Sequence, residues 1–292
     1  MGFGRGEGRG QARVHGRVDV LRRCGRRFRV GCERAALVIH PSAIVHPGAV
    51  IGEGAEIGPF CVIGDNVSIG ARTRLLAHVV VNGYTTIGED SEIYPFCSIG
   101  APSQDRKYHG ERSYTKLGSR TVLREYVSVH RATGSEETTS VGDDTLLLAY
   151  VHIAHDCRIG NNVVMSSTAQ LAGHVSVGNY ATIGGQTGVH QFVRIGEHAM
   201  VGGITKLIRD VPPYFLVEGI PAQPYGLNTV GLRRAQFTPE IVSELKECYN
   251  ILYRSGHNIS QAAEAMRAVV ASEQGRALLA FIETHSERGI TK

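Results

Sequence analysis

Five histidines stand close together in the middle of the chain: His130, His152, His155, His174 and His190. His155 is followed by Asp156. Eighteen residues on, the same two places hold Gly173 and His174, and eighteen further on they hold Gln191 and Phe192. Histidine is the side chain that exchanges a proton near neutral pH. A base, an acid beside it, a glycine with bare backbone and a polar amide together suit proton transfer and the gripping of a polar ligand. Zinc is the competing use of such residues. The spacing offers no triad of facing histidines, and Asp156 or Gln191 would be poorer partners than a third imidazole. No metal and no cofactor is therefore expected.

Whether eighteen residues is a meaningful distance depends on the elements that carry these side chains. Ile39, Val45, Ile51, Ile57, Ile63, Ile69, Leu75, Val81, Ile87, Ile93 and Ile99 are spaced by six without a miss. Leu117, Leu123 and Val129 resume the step, and it runs unbroken from Val141 to Leu207. A period of six fits neither an α-helix nor an isolated sheet. It marks a parallel β-helix, in which short strands wind into stacked coils. Two residues before each aliphatic sits a small or β-branched residue, such as Ala55, Cys61, Val67, Val151, Cys157, Val163 and Ala169. Strand side chains alternate between faces, so both positions point into the coil. Glycines such as Gly52, Gly58 and Gly70 often follow the aliphatic, which suits a corner with positive φ or a close backbone approach. Three edges of six make a coil of eighteen, so residues eighteen apart stack directly. His155, Gly173 and Gln191 then form one outward column, with Asp156 and His174 in the column beside it. All five histidines lie outside the inward positions.

The repeat assigns residues 39–211 to the β-helix, broken by polar excursions at 101–116 and 132–140. The first excursion concentrates Asp105, Lys107 and Tyr108, a set able to hold a polar ligand. The second reads equally well as a surface insertion. Residues 212–292 read as a small α-helical domain capping the last coil. Thr238-Pro239-Glu240 starts one helix and Gly256 stops it, and Asn258 with Gln261 resembles a capping box. A third helix holds Leu278, Leu279 and Ile282.

Charge is uneven along the 292 residues. The first 37 hold ten arginines against three acids, leaving twenty-one cations against twenty-four acids in the rest. Residues 1–38 form an Arg- and Gly-rich extension for which disorder is expected. It could bind nucleic acid or an anionic membrane, or act as a targeting segment. The favoured reading is that translation starts near Val38, which leaves no nucleic-acid partner. No apolar run approaches the ~20 residues of a membrane span. The six cysteines do not pair by spacing; Cys61 and Cys97 lie two coils apart, about 9–10 Å, too far for a disulfide. Buried free thiols fit a reducing cytoplasm.

At this point the strings themselves carry a resemblance. Ile153-Ala154-His155-Asp156-Cys157, Leu171-Ala172-Gly173-His174-Val175 and Val189-His190-Gln191-Phe192 resemble the UDP-N-acetylglucosamine O-acyltransferases that open lipid A biosynthesis. So do Gln104-Asp105 with Lys107-Tyr108, Asp210-Val211-Pro212-Pro213-Tyr214 and Leu252-Tyr253-Arg254-Ser255-Gly256. The similarity runs from about Ile39 to the C-terminus. It implies a left-handed coil, a homotrimer with sites between β-helices, and transfer of a 3-hydroxyacyl chain from acyl carrier protein to the 3-hydroxyl of UDP-N-acetylglucosamine. It implies His155 as general base, Asp156 as its orienting carboxylate and the Gly173 N–H as oxyanion donor. Asp105, Lys107, His130, His152, His174, His190, Gln191 and Asn228 match nucleotide-sugar or acyl contacts. Arg233 and Arg234 match a basic stretch for the carrier arm or the nucleotide phosphate, although Ala235 follows where the family often continues basic. Ile220-Pro221 replaces a more polar pair. Gly203 matches the position that limits acyl length. Other hexapeptide-repeat transferases, acting by N-acyl or CoA-dependent acetyl transfer, are the alternatives, followed by a metal-dependent β-helix resembling carbonic anhydrase.

Overall fold

A computed structural model describes residues 37–292, so the expectations about the N-terminal extension lie outside the described residues. From Val38 onward the chain winds through strands of two to four residues that fall in turn on three parallel sheets. The first sheet runs from Val38–Ile39 through Leu146–Leu147 to Met200–Val201, the second from Ile44–Val45 through His152–Ile153 to Lys206–Leu207, and the third from Val50–Ile51 through Arg158–Ile159 to Arg194–Ile195. The result is a left-handed parallel β-helix. Glu56 pairs with Arg74 and His152 with Gln170, which is the expected step of eighteen. The six-residue aliphatics Ile57, Ile93, Leu123, Leu147, Ile153 and Met165 are buried inside, with Cys61, Val79, Cys97 and Cys157 between them. Burial of one such side chain stabilises the fold by about 1.5–3 kcal/mol.

The corners decide between the two readings of the glycines. Gly52 and Gly70 lie outside the left-handed region. Their task is close approach: a Cβ on Gly52 would fall 2.5 Å from the backbone nitrogen of Ala71 in the next coil. The positive φ falls two residues later, on residues with side chains, among them Phe60, Asn66, Asp156, His174 and Phe192. A left-handed residue costs about 1–2 kcal/mol, and here the ladder of backbone hydrogen bonds between coils holds it in place.

The two excursions leave the coil at the same corner. Ile99 pairs with Val129, a step of thirty, and Val129 pairs with Ile153, a step of twenty-four. Both insertions sit where the second sheet turns into the third, and the next coil up brings His155 and Asp156 to that same corner.

Sheet structure continues past residue 211. Phe215–Glu218 extends the first sheet, and Gln223–Leu227 folds back antiparallel on it. This hairpin closes the edge of the last coil, so the helices begin later than Pro212. They are α1 (Thr229–Arg234), α2 (Pro239–Arg254), α3 (Ile259–Arg267) and α4 (Glu273–Glu283). Thr238 precedes α2 but makes no side-chain cap, whereas the capping box of Asn258 and Gln261 forms on α3. Tyr214, Phe215, Leu245, Leu252, Met266 and Leu278 make a second core between the helices and the hairpin. Cys61, Cys97, Cys157 and Cys248 are free and buried. No helix among the described residues is long and apolar enough to cross a membrane.

Candidate functional site

Three successive turns from the second sheet to the third build the site from below. Ser103 comes from the first excursion, Thr133 from the second, and His155 from the uninterrupted coil above them. Ser103 Oγ lies 2.8 Å from Thr133 Oγ1, which lies 3.1 Å from His155 Nδ1. Asp156 Oδ2 lies 2.7 Å from the same nitrogen. The Thr133 N–H donates to both carboxylate oxygens at 3.2 and 3.3 Å, and Thr139 Oγ1 accepts the Asp156 N–H at 2.8 Å. The side chains of His155 and Asp156 are only 13% and 11% exposed. Adjacent sequence did not establish contact between them; the left-handed φ of Asp156 brings its carboxylate round to the ring.

Burial pushes the Asp156 carboxyl up, but hydrogen bonds from His155 and Thr133 and the nearby His174 outweigh it and hold the group below the usual carboxylate range. A charged Asp156 fixes the His155 proton on Nδ1 and leaves the Nε2 lone pair free. His174 sits edge-on to His155, its ring centre 5.3 Å away, with Nε2 3.6 Å from Asp156 Oδ2. Phe192 stacks on His174 at 4.6 Å.

Gly173 lies directly above His155. A Cβ there would come within 2.3 Å of His155 Cε1 and 2.6 Å of Nε2. Only a glycine leaves room for the ring, and no hydrogen bond among the described residues uses the Gly173 N–H. That donor is open to a ligand next to the lone pair of His155.

Two clefts flank this corner: one reaches Asp156 and His174, the other His155 and Gly173. One, of about 630 Å³, is polar and includes Asp105, Lys107, Thr133, Asp156, His174 and Arg194. The other, of about 570 Å³, lies along the second sheet past His152, His155, Gly173, Gly188, His190 and Gln191. His152 donates or accepts at Ser128 Oγ, 2.8 Å away. Burial and the nearby His130 and His155 push its pKa down to about 4. His130 contacts the Pro102 carbonyl at 2.8 Å and meets His152 edge-on. Burial pushes the Cys157 thiol up to about 12, which fits a structural rather than a nucleophilic sulfur.

Four of the expected site residues stand apart within one protomer. Asn228 is buried, caps α1 through the Gly231 N–H and donates to the His198 carbonyl. Arg233 and Arg234 end α1, exposed and without an acid partner among the described residues. Gly203 lies at the corner between the first and second sheets. Conversely, Ser103 and Thr133 have no role in the sequence reading, and Phe192 enters it only as part of a string. The signal for the first two was present: both excursions insert whole multiples of six, so both return to one corner.

No three histidines face one another among the described residues, but one acid and two histidines do converge. Asp105, His155 and His174 bring their ligating atoms within 4.8 Å of one another. A cation there would occupy the Nε2 lone pair that proton transfer needs.

Comparison with known proteins agrees with this geometry. Residues 210–291 match the profile of UDP-N-acetylglucosamine O-acyltransferase domain 2, and residues 48–83 and 138–173 match the bacterial transferase hexapeptide. The chain is 46% identical over 230 residues to the acyl-[acyl-carrier-protein]–UDP-N-acetylglucosamine O-acyltransferase of Thermodesulfovibrio yellowstonii, covering 78% of this chain and 89% of that one. It is 44% identical to the enzyme of the same name from Syntrophobacter fumaroxidans, over 87% of this chain and 99% of the relative. Among solved structures, LpxA from Acinetobacter baumannii superposes with a TM-score of 0.85 at 38% identity, covering 87% of this chain and all of that one. With matching core, matching cap and near full-length coverage, this chain belongs to the acyl-[acyl-carrier-protein]–UDP-N-acetylglucosamine O-acyltransferase family.

Proposed function

We infer that the chain transfers an acyl group from acyl carrier protein to a hydroxyl of UDP-N-acetylglucosamine, the opening step of lipid A biosynthesis. The observation that carries the mechanism is the juxtaposition of the His155 Nε2 lone pair and the unused Gly173 N–H on the wall of one cleft, with Asp156 and His174 on the wall of the next. The acceptor hydroxyl, the sugar 3-OH, is a weak nucleophile. His155 Nε2 takes its proton as the oxygen attacks the thioester carbon. Asp156 holds the ring and balances the imidazolium. The carbonyl oxygen gains the negative charge and accepts from Gly173 N–H; loss of such a donor costs about 3–4 kcal/mol in other enzymes. Collapse of the adduct breaks the carbon–sulfur bond, and the imidazolium returns the proton to the departing thiolate. The polar cleft with Asp105, Lys107 and His174 takes the nucleotide sugar. The long cleft past His152, His190 and Gln191 takes the acyl chain, which is 3-hydroxylated.

The working unit is a homotrimer in the cytoplasm. Buried free thiols fit the reducing compartment, and what supports the trimer is an exposed stack at the corner between the first and second sheets. Phe60, His78, Phe96, Tyr126 and Tyr150 lie face to face at 4.7–5.0 Å. Phe60 and Tyr150 are 57% and 54% exposed. A row of bare rings that long fits a protein contact. Gly203 stands at the same corner, so a neighbour docked there would bring it to a second protomer's cleft. In the same assembly Arg233 and Arg234 reach the nucleotide or the carrier, and Asn228 caps the helix that carries them.

The test is mass spectrometry of the products from UDP-N-acetylglucosamine and a mixed pool of acyl carrier thioesters. O-acylated nucleotide sugar is expected, nearly abolished in His155→Ala with the fold intact. Transfer by His155→Ala within a few-fold of the unaltered protein would sink the base assignment.

A further inference from the structure

The residues after α4 turn back onto the β-helix. The Asp210 N–H donates to the Gly289 carbonyl at 2.9 Å, and the Thr291 N–H donates to the Asp210 carbonyl at 2.9 Å. The start of this return is fixed from the sheet. Asp210, its side chain 1% exposed, accepts the backbone N–H and Nε–H of Arg194 at 2.8 and 2.6 Å. The same guanidinium donates to the carbonyls of Phe281 and Thr284 at the end of α4, both at 3.4 Å, and lies 4.4 Å from the Phe281 ring centre. A cation there meets the negative end of the helix. The tail thus leaves α4 in one direction, and His285 and Glu287 become part of the wall of the polar cleft.

Arg288 closes the loop. Its Nε–H donates to the Gln191 carbonyl at 2.8 Å, across 97 residues of sequence. Its guanidinium lies 5.9 Å from the Phe192 ring centre. Phe192 has a left-handed φ of 65° and stacks on His174 with only 10° between the rings. His174 in turn faces the Asp156 carboxylate. Phe192 links the tail to this histidine: Arg288 holds the Gln191 carbonyl just before it and lies over its ring.

We propose that Arg288 is a positioning residue for the acceptor site: it holds the Gln191-Phe192 corner so that Phe192 keeps His174 turned toward Asp156 and the polar cleft. This rests on the reading that the polar cleft takes the nucleotide sugar. The arginine is specific to the task. A lysine could donate to the carbonyl, but it has no planar group to lie against the ring.

The experiment compares the unaltered protein with Arg288→Ala, Arg288→Lys, Phe192→Leu and the double variant Arg288→Ala/Phe192→Leu. Losing one charged hydrogen bond and one ring contact predicts a KM for UDP-N-acetylglucosamine raised about five- to twenty-fold in Arg288→Ala. The KM for the acyl carrier and the melting temperature should stay put, and Arg288→Lys should recover only part of the loss. Phe192→Leu should show the same split, with the double variant no worse than either single one. Additive effects, or a loss of rate that follows a lowered melting temperature with KM unchanged, would overturn the proposal. A readout independent of turnover is the ring-current shift of the His174 ring protons by NMR at fixed pH. It should move in Arg288→Ala and not in Lys292→Ala; an unmoved signal also overturns it. Absence of turnover in the unaltered protein would instead refute the acceptor assignment, and the NMR comparison would still decide the role of Arg288.

Discussion

Gly203→Met is the sharpest test of how the acyl chain is measured. Gly203 is exposed and lies outside the left-handed region, and a Cβ there would sit 3.4 Å from the Gly185 carbonyl oxygen, an ordinary contact. Its neighbour Gly202 differs: a Cβ there would come within 2.5 Å of the Glu218 Cβ. The backbone therefore needs glycine at 202 and not at 203, and the variant should fold as well as the unaltered chain. Beside it Ile204 is 62% exposed, so a new side chain points into space that a docked neighbour would share. Beyond Cβ, methionine adds Cγ, Sδ and Cε. If these displace about three methylenes of the donor, at about 0.8 kcal/mol each, the longest acyl chain loses about 2.4 kcal/mol. That is roughly sixty-fold in kcat/KM. The assay is competition among acyl carrier thioesters of graded length, read by product mass. The ratio of long to short product should fall by about that factor, with turnover of the short donor within a few-fold of normal. A uniform fall at every length, together with a lower melting temperature, would refute the ruler and return Gly203 to a backbone role.

Four further outcomes are expected. Gly173→Ala places a methyl where the His155 ring lies, pinned by Asp156 and Thr133; kcat should fall roughly 10²- to 10³-fold with little change in melting temperature. Retained activity would contradict the stacking. His152 has its folded pKa lowered to about 4, so the unfolded chain binds the extra proton between about pH 6.5 and 4. Its contribution is present above that window and is lost as pH falls through it, by at most roughly 2–3 kcal/mol; chemical denaturation of His152→Gln should show a shallower decline with falling pH, and an unchanged slope would exclude the effect. Chelation with EDTA should leave turnover intact, and loss restored by zinc would replace the base mechanism with a metal one. Substituting Arg233 and Arg234 should weaken binding of the acidic carrier and reduce its dependence on salt; indifference to both would point to a CoA donor or another docking face.

The coil was legible because its geometry leaves no freedom: an inward residue must recur every six positions, and Ile57 through Leu207 obey outside the two excursions. The columns of eighteen then placed Gly173 on His155 and His174 beside it without any coordinates. The same regularity hid other parts. The two excursions keep the aliphatic phase and so return to one corner, but no repeat position within the inserted residues singles out Ser103 or Thr133. Of the two roles open to the corner glycines, close approach is the one that Gly52 and Gly70 fill; Phe60 and Asp156 take the left-handed positions, since hydrogen bonds between coils outweigh the local preference. The closing hairpin and short α1 carry too few residues for a period to register. Arg288 meets Gln191 through tertiary folding alone, and no spacing rule spans that distance.

Stacking of coil upon coil also grades how firmly each part is held. Every strand is bonded only to the turns directly above and below it. Opening one coil costs its own contacts and those at its two faces, so loss of order travels along the axis rather than through the whole molecule. Among the described residues the first turn has a neighbour on one side only, and its inward Ile39 is 41% exposed. Fraying should begin there, with fast amide exchange around residues 38–51. The coils that carry His155 and Gly173 have neighbours on both sides and a helical lid above, and their amides should exchange last. The catalytic geometry is thereby insulated from the breathing of the open end.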